Sequence, residues 1–256
     1  MRAFTISLAG IPIRIHPMHA EIERHFREYL CEAEPMFEIA ATARDMEHER
    51  GIQKRLDEKI EDLPPFPEAY LEDLAIFREI ADRMPSYDTV LFHGSVVAAE
   101  GRAYLFAAPS GTGKTTHTRL WLQQNPEAYV LNGDKPFLRV TPENRVLAGG
   151  GPWRGKEKLG RNEILPLEAI CLLERARENH IRTITPGEAI QTLIERTHRP
   201  KDAVQWVKTL QILDRISRNV RLYRLACNMD PEAARVSMDA MLYRKPGERH
   251  DGTNDL

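Results

Sequence analysis

The run Ala107-Ala108-Pro109-Ser110-Gly111-Thr112-Gly113-Lys114-Thr115-Thr116 constrains this chain more than any other stretch of it. An apolar segment, Arg102 to Ala107, precedes it and reads as a strand. A segment from about Thr115 to Gln124, closed by Asn125-Pro126, follows it and reads as a helix. Gly111 and Gly113 permit positive φ and put no Cβ in the path of a ligand. Successive amides at a helix start converge on one point, and the helix dipole adds positive potential there. Such a bend is a nest for phosphate oxygens. Lys114 is placed to reach β- and γ-phosphates, and the Thr115 hydroxyl to ligate Mg²⁺. The full pattern asks for a glycine where Ala108 stands, so the loop departs from it at one position.

The next predicted strand, Tyr129-Val130-Leu131, runs into Asn132-Gly133-Asp134-Lys135-Pro136. Asn-Gly-Asp is turn chemistry. It also sets the Asp134 carboxylate at a strand end, where it can hold a metal ion directly or through water. Upstream, Ser95 to Ala99 and Arg102 to Ala107 form a hairpin across Glu100-Gly101, preceded by Val90-Leu91-Phe92 and His93-Gly94. The hairpin before the loop and the short return after it predict a sheet richer in antiparallel strands than an ordinary phosphate-loop protein carries.

Elsewhere the pattern predicts a strand pair (Phe4–Leu8 and Ile11–Ile15 across Ala9-Gly10), a helix over 21–30 and a short strand at 37–40. Residues 44–62 are dense in charge and read as a solvated helix face. Leu63-Pro64-Pro65-Phe66-Pro67 is linker-like. Tyr70, Leu74, Phe77, Ile80 or Ala81, and Met84 then recur at helical spacing, predicting a helix packed on a sheet and ended by Pro85. Strands are predicted at 137–140, 145–148, 169–173, 180–184 and 221–226, and helices at 186–196 and 203–218. In the second of these helices Val207, Leu210, Leu213 and Ile216 share a face. A last helix is capped by Asp230-Pro231. The division expected is an N-terminal α/β extension over 1–85, a phosphate-loop domain over 86–244, and a polar, loose tail over 245–256.

Composition narrows the class. With 36 Lys and Arg against 38 Asp and Glu, the net charge of −2 argues against a nucleic-acid partner. Hydrophobic residues at 42% and charged residues at 29% exclude a disordered chain. No stretch reaches the roughly 18 apolar residues of a membrane span. The three cysteines, Cys31, Cys171 and Cys227, are scattered and odd in number, as free thiols of a cytoplasmic protein would be.

Taken together, His93-Gly94, the Ser110–Thr116 loop and Leu131–Lys135 resemble, in order, the catalytic domain of the HPr kinase/phosphorylase family within the phosphoenolpyruvate carboxykinase-like nucleotide-binding fold. The likeness covers residues 88–140 well and extends more loosely to about 240. The first 85 residues are unlike that family's N-terminal domain, and no oxaloacetate-binding Arg segment or Mn-binding Lys/His pair of a carboxykinase is found. The resemblance implies an ATP-dependent kinase, with ATP (or another NTP) and Mg²⁺, transferring the γ-phosphoryl group to a hydroxyl of a peptide, protein or small molecule. Ser110, Gly111, Thr112, Gly113, Lys114, Thr115 and Thr116 would then hold the nucleotide. Thr115 and Asp134 would hold Mg²⁺, and His93 would lie near the transferred group. Gly133 stands where the family carries the first of two aspartates, the one that takes the acceptor's proton. Either Asp134 does double duty or His93 serves, since a His pKa near 6.5 suits a base. The missing acid also motivates an alternative, a nucleotide-binding regulatory or scaffold protein with little catalysis. A reverse, phosphate-dependent activity is a third.

A basic glycine-hinged loop follows, Pro152 to Asn162. Arg154, Lys156, Glu157 and Arg161, with Lys135, are candidates for holding an anionic substrate or the phosphoryl charge. The loop reads equally as an exposed basic surface. Arg154-Gly155 and Glu157 echo the family's Glu-x-Arg-Gly segment in composition but not in order. Trp153 reads as packing, His16 and His19 as a weak metal pair, and His117 as a helix-surface residue that could face nucleotide. The N-terminal extension is the candidate for recognising the acceptor.

Overall fold

The computed structural model describes the chain apart from residues 57–65, Ser110 and 243–256. The linker-like Leu63-Pro64-Pro65 and the polar tail lie outside the described residues. The elements run β1 (Phe4–Leu8), β2 (Ile11–Ile15), α1 (Ala20–His25), β3 (Phe37–Ile39), α2 (Ala43–Leu56), α3 (Glu68–Arg83), β4 (Thr89–Leu91), β5 (Ser95–Ala99), β6 (Arg102–Ala107) and α4 (Lys114–Gln124). They continue with β7 (Tyr129–Asn132), β8 (Phe137–Val140), β9 (Val146–Gly149), β10 (Ile164–Arg175), β11 (His180–Thr183), α5 (Pro186–Glu195), α6 (Ala203–Asn219), β12 (Arg221–Cys227) and α7 (Pro231–Met241). Single 3-10 turns occupy Arg27–Tyr29 and Met84–Tyr87. The class is mixed α/β.

Two hairpins share one turn chemistry. Ala9-Gly10 (φ 51° and 77°) joins β1 to β2, and Glu100-Gly101 (φ 51° and 70°) joins β5 to β6. Two-residue turns with both φ positive match the twist of paired strands. The first hairpin alternates as predicted, with Ile6, Leu8, Ile11, Ile13 and Ile15 buried. Each such side chain contributes roughly 1.5–3 kcal/mol. β3 adds in parallel to β2.

The larger sheet has nine strands among the described residues. β10 is its spine. Its first residues pair antiparallel with β9, and its later ones run parallel to β6 on one side and β12 on the other. The partner changes beside Pro166, which has no amide to donate, and the register slips between Leu167 and Ala169. The sequence marks only 169–173 of this strand, because Pro166 and Glu168 interrupt its N-terminal half.

Alternation along β6 divides two cores. Ala103, Leu105 and Ala107 face α5 and α6, and Tyr104, Phe106 and Ala108 face α4 and α7. The three-stranded sheet forms a third core with α1 and α3, and this core also takes in Leu91 and Phe137 of the larger sheet. The stacking is close: a Cβ on Gly149 would meet the Ala9 Cα at 3.0 Å.

Two helix expectations are corrected by tertiary context. In α3 the buried face is Leu71, Glu72, Ala75, Ile76, Ile80 and Ala81. Tyr70 is exposed, and Leu74 and Phe77 are half-buried toward a cleft. In α6 the buried face is Thr209, Ile212, Leu213, Ile216 and Ser217, while Val207 is exposed. Asp230 stands at the N-cap of α7, but its side chain accepts from Asn228 Nδ2 at 2.8 Å instead of capping.

Among the described residues no helix is long and apolar enough to cross a membrane, and no cluster of three or more His, Cys, Asp or Glu could hold a metal. The three cysteines are free. His16 pairs with Glu38 at 2.8 Å and His19 with Glu72 at 2.6 Å, so the two histidines serve separate carboxylates.

Candidate active site

Strand direction gathers the site. β6 and β7 both run antiparallel to β5, so the ends of β6 and β7 and the start of β5 meet at one edge of the sheet. There the loop after β6, the Asn132–Lys135 turn and His93–Ser95 come together. They line one cleft of about 540 Å³, with Gly111, Gly113, Lys114, Thr115 and Thr116 on one side and His93, Ser95, Gly133 and Asp134 on another.

The loop has the conformation its glycines predict. Gly111 has φ 77° and Gly113, the N-cap of α4, has φ 120°. A Cβ on either would meet no atom within 4 Å, so both faces are open. The Lys114 ammonium donates to the Ala108 carbonyl at 3.0 Å. Burial and the nearby Arg196 guanidinium push its pKa down. Arg175, at the end of β10, donates to the carbonyls of Gly111 and Thr112 and so fixes the loop from outside. Thr112 does not line the cleft, and its amide donates to Pro109 at 3.2 Å. Ser110 lies outside the described residues.

The opposite wall is built on Asn132. This buried side chain accepts from the amides of Asp134 (2.9 Å) and Lys135 (2.7 Å) and donates to the Gly151 carbonyl (3.1 Å). The Asp134 carbonyl in turn accepts from Gly94 N at 3.1 Å. Asp134 is thereby fixed with Oδ1 3.6 Å from His93 Nε2. Lysine has only donors, so the 2.9 Å contact between Lys135 Nζ and His93 Nδ1 makes Nδ1 the acceptor and leaves the ring proton on Nε2. Burial, then the Lys135 charge, lowers the His93 pKa to about 4, and the ring is neutral at pH 7.

The basic loop after β9 folds over the Asp134 turn. Gly133 N donates to the Leu159 carbonyl and Arg161 N to the Leu131 carbonyl. Its charged residues part company. Lys156 lines the cleft. Glu157 also lines it, paired with Arg119 of α4. Arg154 is drawn to Glu28 and the Tyr29 hydroxyl. Arg161 turns away to lie 3.7 Å over the Tyr129 ring. Lys135 faces His93, outside the lining of this cleft.

His117 is neither exposed nor directed at the cleft. It is buried, contacts Ser237 at 3.0 Å and packs against Phe106. The α4–α7 contact covers it. Arg196, after α5, is the residue sequence reasoning missed. Its carbonyl accepts from His93 N at 2.6 Å, its Nε is buried without a partner among the described residues, and its charge lowers the pKa of Lys114, Lys135 and His93. No motif marks it, because α5 reaches the site only through tertiary packing.

The Thr115 hydroxyl and the Asp134 carboxylate both line the cleft, and they are oxygen donors of the type Mg²⁺ takes. The open faces of Gly111 and Gly113 beside Lys114 fit a phosphate chain.

No family model matches this sequence, and no curated protein matches it. Among solved structures the chain is similar to the HPr(Ser) kinase/phosphatase from Coxiella burnetii. The match has 8% identity and a TM-score of 0.36, over 59% of this chain and 96% of that one. A likeness this slight carries no function with it.

Proposed function

We propose that the protein is an ATP-dependent phosphotransferase of the HPr kinase-like type, moving the γ-phosphoryl group to a hydroxyl. The observation that carries this reading is the placement of Lys114 and the open-faced glycines across one cleft from Asp134. The loop amides, the start of α4 and Lys114 bind the phosphate chain. Thr115 and Asp134 would hold Mg²⁺, which would supply charge neutralisation on the phosphate oxygens.

Asp134 is the base. His93 offers no free lone pair in this arrangement, since Nδ1 accepts from Lys135 and Nε2 bears the proton. The acceptor oxygen forms its bond to the γ-phosphorus as the bond to the β–γ bridging oxygen breaks. The acceptor proton passes to the Asp134 carboxylate, and ADP leaves with the bridging electron pair. Lys114, Lys135 and Arg196 set positive potential around the transferred group.

The test is single-turnover transfer from γ-labelled ATP to a panel of hydroxyl acceptors, in the wild type and in Asp134→Asn. Label in an acceptor that falls at least a hundredfold in the variant fits the proposal. Tight ATP binding with no transfer to any acceptor would favour the regulatory, binding-only reading.

A further inference from the structure

A second cleft, of about 720 Å³, opens on the other side of the 152–160 loop. It has Asp134, Arg154, Gly155 and Lys156 in common with the phosphate-loop cleft, so one carboxylate stands in the wall of both. Its far side comes from α1, the turn after it, and α3. Tyr29, Phe77 and Trp153 give it an apolar lining. Trp153 is fixed in place. Its ring centroid lies 4.6 Å from that of Phe77, and its Nε1 lies 3.3 Å from both carboxylate oxygens of Asp73.

The charge of this cleft is unbalanced. Two of its carboxylates are already held: Glu28 by Arg154, and Asp73 by Trp153, with His25 at 3.5 Å. Burial also pushes the Asp73 carboxyl above the usual carboxylate range. The ammonium groups of Lys156 and Lys158 stand exposed, with no hydrogen-bond or ion-pair partner among the described residues. The volume falls within the roughly 300–1,000 Å³ of small-molecule sites, and an apolar lining with a few convergent polar groups is their usual composition.

The geometry points to this second cleft as the acceptor site, and to a small hydroxy acid with an apolar or aromatic body as the molecule it takes. The assignment rests on the phosphotransfer reading. The acid's anionic group meets Lys156 and Lys158, its body lies against Tyr29, Phe77 and Trp153, and its hydroxyl faces Asp134. Oxygen attack from this side reaches the γ-phosphorus across Asp134. The O–P bond forms as the β–γ bridge breaks, and the proton goes to that carboxylate.

Calorimetric titration of the full chain with two matched trios tests this. One trio is 3-phenyllactate, 3-phenyl-1,2-propanediol and phenylalaninol; the other is glycerate, glycerol and serinol. In each trio the members are anionic, neutral and cationic. 3-Phenyllactate should bind at least tenfold tighter than both its twins, and tighter than glycerate, which lacks the apolar body. Lys156→Gln with Lys158→Gln, both on an exposed loop, should abolish that preference. Acids that bind no better than their neutral twins, or a preference that survives the double substitution, would overturn the assignment. So would tighter binding of a blocked Gly-Ser-Gly peptide than of either acid. An ATP titration run in parallel separates the two claims. ATP binding without acid preference sinks the acceptor assignment alone. Acid preference without ATP binding leaves an anion site and sinks the phosphotransfer reading.

Discussion

A Cβ added to Gly155 would lie 2.9 Å from the Cβ of Asp134, so the backbone of the basic loop lies close against the side chain whose carboxylate faces both clefts. Gly155 also has φ 73°, where an L-residue costs about 1–2 kcal/mol. Gly155→Ala should therefore shift Asp134 and slow phosphoryl transfer at least tenfold, while the affinity for ATP without added metal changes less than threefold. Transfer at the wild-type rate would show that the contact does not position the carboxylate.

The same loop explains Gly133. A Cβ there would meet the carbonyl oxygens of Arg154 at 3.1 Å and Leu159 at 3.5 Å. An acid at this position is pressed against two acceptors. Gly133→Asp should lower unfolding stability by about 1–3 kcal/mol and give no faster transfer. Urea unfolding and the transfer assay check both halves, and a faster enzyme would contradict the account.

Glu72 is fully buried and ties the N-terminal sheet to α3. Its carboxylate accepts from the amides of Met18 (2.6 Å) and His19 (3.0 Å) and pairs with His19 Nδ1 (2.6 Å). Glu72→Ala leaves three part-buried donors unmet and should cost about 2–3 kcal/mol, read as a lower urea midpoint at an unchanged slope. A loss under about 1 kcal/mol would remove this role.

Glu188 closes a capping box at the start of α5, the helix that leads to Arg196. Its carboxylate accepts from the Thr185 amide at 2.9 Å and pairs with Arg182 at 2.8 Å. The Thr185 amide, then Arg182, lowers its pKa to about 2 from an ordinary 4.5. The folded chain thus stays ionised where the unfolded chain takes up a proton. Stability from this group is complete above pH 4.5 and is lost as pH falls through about 2. Glu188→Gln should flatten the acid limb of stability in that window. An unchanged limb, or a carboxyl that titrates near 4.5 by NMR, would contradict it.

What the sequence made legible was local. The Ala9-Gly10 and Glu100-Gly101 turns, the alternation they join and the positive φ of Gly111 and Gly113 are fixed by neighbours in the chain, and they stand where the pattern put them. What it hid depends on packing. Tyr70 and Phe77 share the spacing of a buried stripe, yet they border a cleft, because α3 turns Leu71 and Ile76 to its core instead. His117 is covered only because α7 crosses α4, with Ser237 bonding both His117 and Trp121. Arg154 and Arg161 are neighbours in a basic run, but Glu28 draws one and Tyr129 the other. Arg196 carries no signature at all, since its place beside His93 comes from a carbonyl contact between distant segments.

The most direct measurement is calorimetric titration of Mg²⁺–ATP into the wild type and into Lys114→Ala, both first shown to be folded by circular dichroism. The wild type should bind, and the variant should bind at least tenfold more weakly, a loss of about 1.4 kcal/mol or more. Equal affinity in the two proteins would mean that the ammonium at the start of α4 does not meet a phosphate, and the nucleotide site would have to be abandoned.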